Sequence, residues 1–373
     1  MTTRNLGTVP VEIRGDDSTS VYLREEFAAL PTAHSAAAVS VSRVSVDQIA
    51  TTGARFGRLV IGDDGSVLID YGTWLAKLDF TSTAESVVHF AVRTTASEHR
   101  LGKFVERGRD WNYLSSAESI AKNVIYDGLD QAIQIQNLNR QQTFIHASSL
   151  ELDGVGVAVG GWGGVGKTSS VMQLVRERGY RFLSDDLGLI DASGMLFRSP
   201  KRLQIYPYNL VGIPGLHRHL FKGRGRVDHL QWHVLERLRG KKAVRRRVTA
   251  EEFFGPERVG TSAPLAVYVQ LERGHWESPS VREIDALQVA RRTSHTLMYE
   301  LSPLPELSFA LSSHLQRNDL ELEALRMRVE AIVARGLESS ACYEVRVPIQ
   351  MPPSELSVTI GRLLESHTGQ RAS

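Results

Sequence analysis

From Val9 to about His99 the chain alternates short apolar runs with turn signals: Val9-Pro-Val-Glu-Ile-Arg, Arg58-Leu-Val-Ile, Val67-Leu-Ile-Asp-Tyr and Val87-Val-His-Phe-Ala-Val. Asp64-Gly65 between two such runs is a hairpin signal, so this stretch predicts a β-rich region with a few helical pieces. From Ser116 to about Asn139 the period changes. Ile120, Val124, Ile125, Leu129, Ile133 and Ile135 recur at mostly helical spacing, which predicts a helix leading into a second domain. A strand-like run, Phe144-Ile-His, is followed by Gly154-Val-Gly-Val-Ala-Val, the continuous β-branched pattern of a strand buried on both faces. A helix is expected over Lys167 to Arg178, stopped by Gly179, and then a strand at Tyr180-Arg-Phe-Leu. Farther on, Leu265 to Leu271 predicts a strand, Asp285 to Tyr299 and Leu320 to Gly336 helices, Cys342 to Val347 a strand and Ser354 to Glu365 a helix. The working division is a β-rich α+β domain over 1–115 and an α/β domain over 116–373.

Composition narrows the class. With 373 residues, 42% hydrophobic and 23% charged, the chain is long enough for two buried cores and unlike a disordered chain. A formal net charge of +2 excludes a strongly basic nucleic-acid coat protein. Cys342 is the only cysteine, so neither an internal disulfide nor a cysteine-based zinc site can form. No leader-like N-terminus and no apolar run of membrane-spanning length are seen, and the expectation is a soluble cytoplasmic protein with no membrane partner.

The chemistry concentrates after the second predicted strand. Gly161-Trp-Gly-Gly-Val-Gly-Lys167-Thr168 meets every fixed position of G-x-x-x-x-G-K-[ST], with an apolar strand before it and a helix after it. Glycines in such a turn let backbone N–H groups point inward around a phosphate, and the helix N-terminus adds its positive end. Gly161, Gly163, Gly164, Val165, Gly166, Lys167, Thr168 and Ser169 are therefore the candidate ATP site, with Lys167 on the phosphates and Thr168 on Mg²⁺. Trp162 reads as a packing or lid residue.

Asp185-Asp186 follows the strand after the loop's helix, and adjacent carboxylates on a strand would point to opposite faces. One of them could then take a substrate proton while the other serves the metal. His146, just before the loop's strand, reads on its position alone as a satisfied core histidine or as a catalytic group.

Ile145-His146, Leu152-Asp-Gly-Val-Gly-Val, the loop, Leu174-Val175, Arg178-Gly179-Tyr-Arg-Phe-Leu and Ser184-Asp185-Asp186 together resemble the catalytic core of HPr kinase/phosphorylase. The likeness spans roughly residues 143 to 191, and is greater still to related bacterial proteins that carry this core beside an unrelated N-terminal region. It implies a P-loop kinase domain of the HPr kinase/phosphoenolpyruvate carboxykinase type and ATP-dependent phosphorylation of a hydroxyl group. By the resemblance Asp185 is the base, Asp186 assists the metal, and His146 contacts the phosphate or the acid pair. Val211-Gly212-Ile213-Pro214-Gly215-Leu216 echoes the family's later glycine-rich signature only faintly, and the N-terminal region has no counterpart there. Related enzymes assemble into oligomers, so a homo-oligomer fits the resemblance.

His217 to Arg247 carries eleven Lys and Arg against two acids, Asp228 and Glu236. Three readings stand: a solvated or structural face, a lid closing over ATP or an anionic substrate, or a patch for an RNA or acidic peptide, although no nucleic-acid motif accompanies it. The loop Ser199 to Asn209 mixes basic, aromatic and proline residues, and Lys201 and Arg202 are its candidates for substrate contacts. The leading expectation is a kinase for a small hydroxylated metabolite. A serine kinase acting on a peptide or protein, and a nucleotide-switched module using segment 217–247, are the alternatives.

Overall fold

The computed structural model describes residues 2–80, 84–93, 116–210, 216–222, 224–242, 244–315 and 317–368. The expected junction at residue 115 and positions 211–215 of the glycine-rich echo lie outside them. The chain is a mixed α/β protein with several sheets, and it divides into two compact units, Met1–Gln142 with Met298–Arg328, and Thr143–Leu297 with Val329–Ser373. This grouping differs from a single cut at residue 115, because the helical segment after Ser116 clusters with the first unit.

The first unit is built on an eight-stranded sheet. Strand Val9–Arg14 runs parallel to Val39–Arg43, which in turn runs parallel to Ser86–Val92. Parallel neighbours need a crossover, and the helix Ser18–Phe27 supplies the first one, capped by Asp17, whose side chain accepts from the backbone of Thr19 and Ser20. Arg4–Leu6 pairs antiparallel with Val9–Arg14 at one edge, and the strands from Gly53 to Val92 form an antiparallel meander, including the hairpin Leu59–Gly62 to Ser66–Asp70 around Asp64-Gly65, where Gly65 takes φ 79°. Ser116–Val124 and Asp130–Asn139 are α-helical, joined without a break by a π-helical turn at Ile125–Leu129.

The second unit holds a nine-stranded sheet whose spine is the 13-residue strand Ser262–Gly274. Val155–Gly161, the strand before the glycine-rich loop, pairs parallel with this spine on one side, and Ala341–Pro348 pairs parallel with it on the other. The strand Ala147–Leu152, fully buried and not singled out by the sequence pattern, lies antiparallel between Val155–Gly161 and Arg181–Ser184. His146 is thus not on a strand but at the bend between Gln142–Ile145 and Ala147–Leu152. A core of aliphatic and aromatic side chains, among them Val157, Val159, Val171, Leu174, Phe182, Trp232, Val269 and Leu356, packs the helices onto this sheet.

Basic segment 217–247 is only partly a solvated face. Arg246 and Arg247 are buried, on a short strand Arg246–Val248 paired with Leu203–Ile205. The Arg246 Nε lies 2.5 Å from Asp228 Oδ1 with both side chains 3% exposed, and the guanidinium sits 5.5 Å from the Trp232 ring centroid. These contacts fasten the helix Arg226–Arg239, whose Trp232 and Leu235 enter the core.

Candidate functional site

The glycine-rich loop turns on three glycines with left-handed backbone, Gly161 at φ 138°, Gly164 at 79° and Gly166 at 109°. At Gly161 a Cβ would come within 2.6 Å of the Leu271 carbonyl on the spine strand, so the position admits glycine for two separate reasons. The helix Lys167–Glu177 opens directly from Gly166 and closes with the Arg178 N–H on the Leu174 carbonyl, before Gly179 at φ 75°. Arg273, at the end of the spine, donates from Nε to the Val165 carbonyl at 3.1 Å and from Nη1 to the carbonyls of Pro348, Ile349 and Met351. The loop is thereby braced by two distant parts of the sheet.

Lys167 is 5% exposed and folds back over the loop. Its Nζ donates to the carbonyls of Gly161 at 2.7 Å and Trp162 at 3.1 Å, and stands 2.9 Å from His146 Nε2. An ammonium has only donors, so Nε2 is the acceptor and the imidazole is neutral with its proton on Nδ1. Burial, then the Lys167 charge, pushes the His146 pKa down to about 3; a hydrogen bond with the Asp186 backbone opposes this, and Lys201 adds to it.

Thr168 and Asp185 meet beside them. The Thr168 hydroxyl donates to both carboxylate oxygens of Asp185, at 3.0 and 3.1 Å, and the Ser148 hydroxyl donates to Oδ1 at 2.6 Å. Burial first, then the neighbouring Asp186, raises the Asp185 pKa to about 6, against the opposing pull of Ser148, Thr168 and Lys167. The acid pair does not ride a strand, as alternation along a β-strand would have it. Strand Arg181–Ser184 ends before it, and Asp186 takes φ 61°, a left-handed turn, so the pair does not sit on the alternating faces of a pleat. It is Asp185, not Asp186, that is bonded to Thr168.

Of the two substrate candidates, Lys201 is close enough for its charge to be felt at His146. The Arg202 charge is felt at Glu252, where burial pushes the carboxyl up while Thr249, then Arg202 and Arg224, bring it below its ordinary range. Ser169 accepts a 2.9 Å hydrogen bond from Asn209 Nδ2, which ties the loop Ser199 to Asn209 to the helix of the glycine-rich loop. On the same loop, burial, then Tyr206, Asp186 and Asp185, raises the Tyr208 pKa, and the Tyr206 and Tyr208 rings stack at 5.1 Å. Arg245 of the basic segment donates to the Tyr206 hydroxyl at 3.2 Å. Trp162 is half exposed at the loop's tip.

Ser148 and Arg273 were not among the residues expected from sequence, and within the expected loop Ser199 to Asn209 it was Lys201 and Arg202, not Tyr208 and Asn209, that were singled out. Ser148 carried no signal, since Ser149 and Glu151 keep the run Ala147 to Leu152 from reading as a buried strand. Arg273 had none, since its role depends on the register of two parallel strands.

Among the described residues no group of three or more His, Cys, Asp or Glu side chains could hold a metal ion on its own. The oxygens of Thr168, Asp185 and Asp186 are nevertheless the hard donor set that suits Mg²⁺, which is commonly held by one or two carboxylates with substrate phosphates and water. No described helix is long and apolar enough to cross a membrane.

No family model and no curated protein matches this chain. Among solved structures, the Hpr(Ser) kinase/phosphatase from Coxiella burnetii is similar at 13% identity and a TM-score of 0.27, over 60% of this chain and 95% of that one.

Proposed function

We propose that this chain is an ATP-dependent kinase that transfers the γ-phosphoryl group to a hydroxyl acceptor, with a small hydroxylated metabolite as the acceptor. One observation carries the reading: a buried lysine, a hydroxyl and a carboxyl, Lys167, Thr168 and Asp185, converge at the mouth of a glycine-rich loop that opens a helix. Lys167 and the loop amides neutralise the β- and γ-phosphates. In the ligand-free loop Lys167 is held by two carbonyls and His146, and phosphate oxygens would compete for the same ammonium protons. His146, neutral by its environment, accepts from Lys167 and so keeps that charge pointing into the loop.

Asp185 takes the acceptor's proton as the acceptor oxygen bonds to the γ-phosphorus and the bond to the ADP oxygen breaks. Burial and the Asp186 charge hold its pKa above the ordinary carboxylate range, which makes it a better proton acceptor than an exposed aspartate. Ser148 orients its carboxylate. Thr168 and Asp186 would hold Mg²⁺, which would supply charge neutralisation at the phosphates. Lys201, whose charge is felt at His146, takes the role of contacting a phosphate or an anionic group of the acceptor. Positioning and charge stabilisation account for most of the expected rate gain.

The test is incubation of γ-labelled ATP with the protein and fractionated cell extract, comparing native chain with Asp185→Asn. Label in a metabolite fraction only with native chain supports the reading. Label in a peptide fraction moves the acceptor class to polypeptide. Intact ATP binding with label in no fraction rejects it.

A further inference from the structure

The helix Arg226–Arg239 has two apolar faces, and only one of them is used by the fold. Asp228, Trp232 and Leu235 face inward. Val227, Leu230, Val234 and Leu238, spaced by three and four residues and hence on one side of the helix, face water at 78%, 66%, 37% and 73% exposure. Isolated exposed aliphatics need no explanation, but four in one stripe along a single helix do.

The surroundings of the stripe are of one sign. Arg226, Arg237 and Arg239 are exposed on the same helix, Lys241 and Lys242 follow it, and Arg218 and Lys222 precede it. Of the segment's two acids, Asp228 is locked to Arg246 and Arg224, which leaves only the half-buried Glu236 to offset them. The outward chemistry of the helix is therefore mainly aliphatic and cationic, with no exposed Phe, Tyr or Trp among its fourteen residues and His233 as its exposed ring.

That combination selects among occupants. A second copy packed antiparallel along the stripe would bring Arg226 against Arg237 and Arg239, which like-charge repulsion opposes. A nucleic-acid backbone would satisfy the cations but leave an aliphatic ridge against sugar and phosphate, and the exposed ring, His233, is stacked on His217 with centroids 5.5 Å apart rather than presented to a base. A protein interface is ordinarily anchored by Tyr, Trp or Phe with mixed polar groups around them, and this face exposes none of those anchors and charges mainly of one sign. An anionic bilayer meets both halves at once: aliphatic side chains enter the headgroup boundary, and the Lys and Arg stems lie along it with their charges on lipid phosphates.

We propose that the helix Arg226–Arg239 docks this chain onto an anionic phospholipid surface, lying in the plane of the interface. This reverses the expectation from sequence that no membrane is involved. It does not depend on the kinase reading.

The test is co-sedimentation of the full chain with vesicles of phosphatidylcholine alone and of phosphatidylcholine mixed with phosphatidylglycerol, at low and high salt. Two double variants are run beside it, Leu230→Ser/Leu238→Ser and Arg237→Glu/Arg239→Glu. All four positions are exposed, and unchanged thermal unfolding verifies that both variants fold. The native chain is expected to bind the mixed vesicles, to leave them at high salt and to ignore phosphatidylcholine, with each double variant binding roughly tenfold or more weakly. Failure to bind the mixed vesicles, or equal binding by native chain and both variants, overturns the proposal. So does a concentration-dependent dimer abolished by Leu230→Ser/Leu238→Ser in a chain that binds no vesicle.

Discussion

The Lys167 ammonium stands 2.9 Å from His146 Nε2, two groups brought together from the start of the glycine-rich loop's helix and from a bend between strands 21 residues earlier. Each sets the state of the other. The imidazole accepts a hydrogen bond from the ammonium and the ammonium's charge keeps the imidazole neutral, so substitution of one alters the electrostatics of the site and not only its shape.

The first prediction concerns that pair and pH. The folded pKa of His146, about 3, lies below its ordinary 6.5, so the unfolded chain binds the proton more tightly. The stability it contributes is complete above pH 6.5 and is lost as pH falls toward 3. Asp185 has the opposite sign: its pKa is raised from 3.8 to about 6, and metal-free stability declines as pH rises through that window. Urea midpoints across the range, measured in an Asp185→Asn background that removes the second effect, are expected to fall with acid less steeply once His146→Gln is added. Equal slopes would refute a buried neutral imidazole.

Asp185→Asn is expected to separate stability from activity. It removes a carboxylate whose ionisation is opposed by burial and by Asp186, so the metal-free protein should unfold at a higher temperature than native chain above pH 6. Phosphoryl transfer should drop by roughly 10²–10⁴-fold with nucleotide binding retained. Calorimetry and a labelled-ATP assay on the same preparations measure both.

Two loop glycines should respond differently to alanine. Gly161→Ala meets a carbonyl at 2.6 Å from a left-handed backbone, and a loss of about 1–3 kcal/mol is expected. Gly163→Ala meets nothing within 4 Å and should stay within about 0.5 kcal/mol of native stability. Denaturant titration of the two variants distinguishes backbone constraint from a general need for glycine in the loop.

Asp228→Ala strands Arg246 in the core without its closest counter-charge. A cost of about 3–5 kcal/mol is expected, while replacing both partners, Asp228→Leu with Arg246→Met, should cost distinctly less. If the single and the double variant unfold alike, the pair is not what fastens the helix Arg226–Arg239.

Much of the site was legible because it is written in consecutive residues. The G-x-x-x-x-G-K-T spacing, the β-branched run before it, the glycine stop after its helix and the Asp-Asp pair all lie within one stretch, and local spacing reports local geometry. The remainder arises at a distance. Ser148 reaches Asp185 across 37 positions and Arg273 reaches Val165 across 108, contacts fixed by strand register that no local pattern encodes. The left-handed turn at Asp186 hid behind an apparent strand end. The basic segment misled in part because a charge run does not reveal which cations turn inward, and Arg246 and Arg247 do.

The bracing of the glycine-rich loop has a consequence for how the chain is made. Its carbonyl neighbour Leu271, its tether Arg273 and the strand Ala341–Pro348 beyond them are all synthesised long after Thr168 leaves the ribosome. The loop and its helix must therefore wait, unshaped, through more than a hundred further residues. A ribosome stalled before residue 271 should display a nascent chain that carries the whole motif and retains no nucleotide, and release of that capacity should come late and abruptly, when the spine strand inserts beside Val155–Gly161.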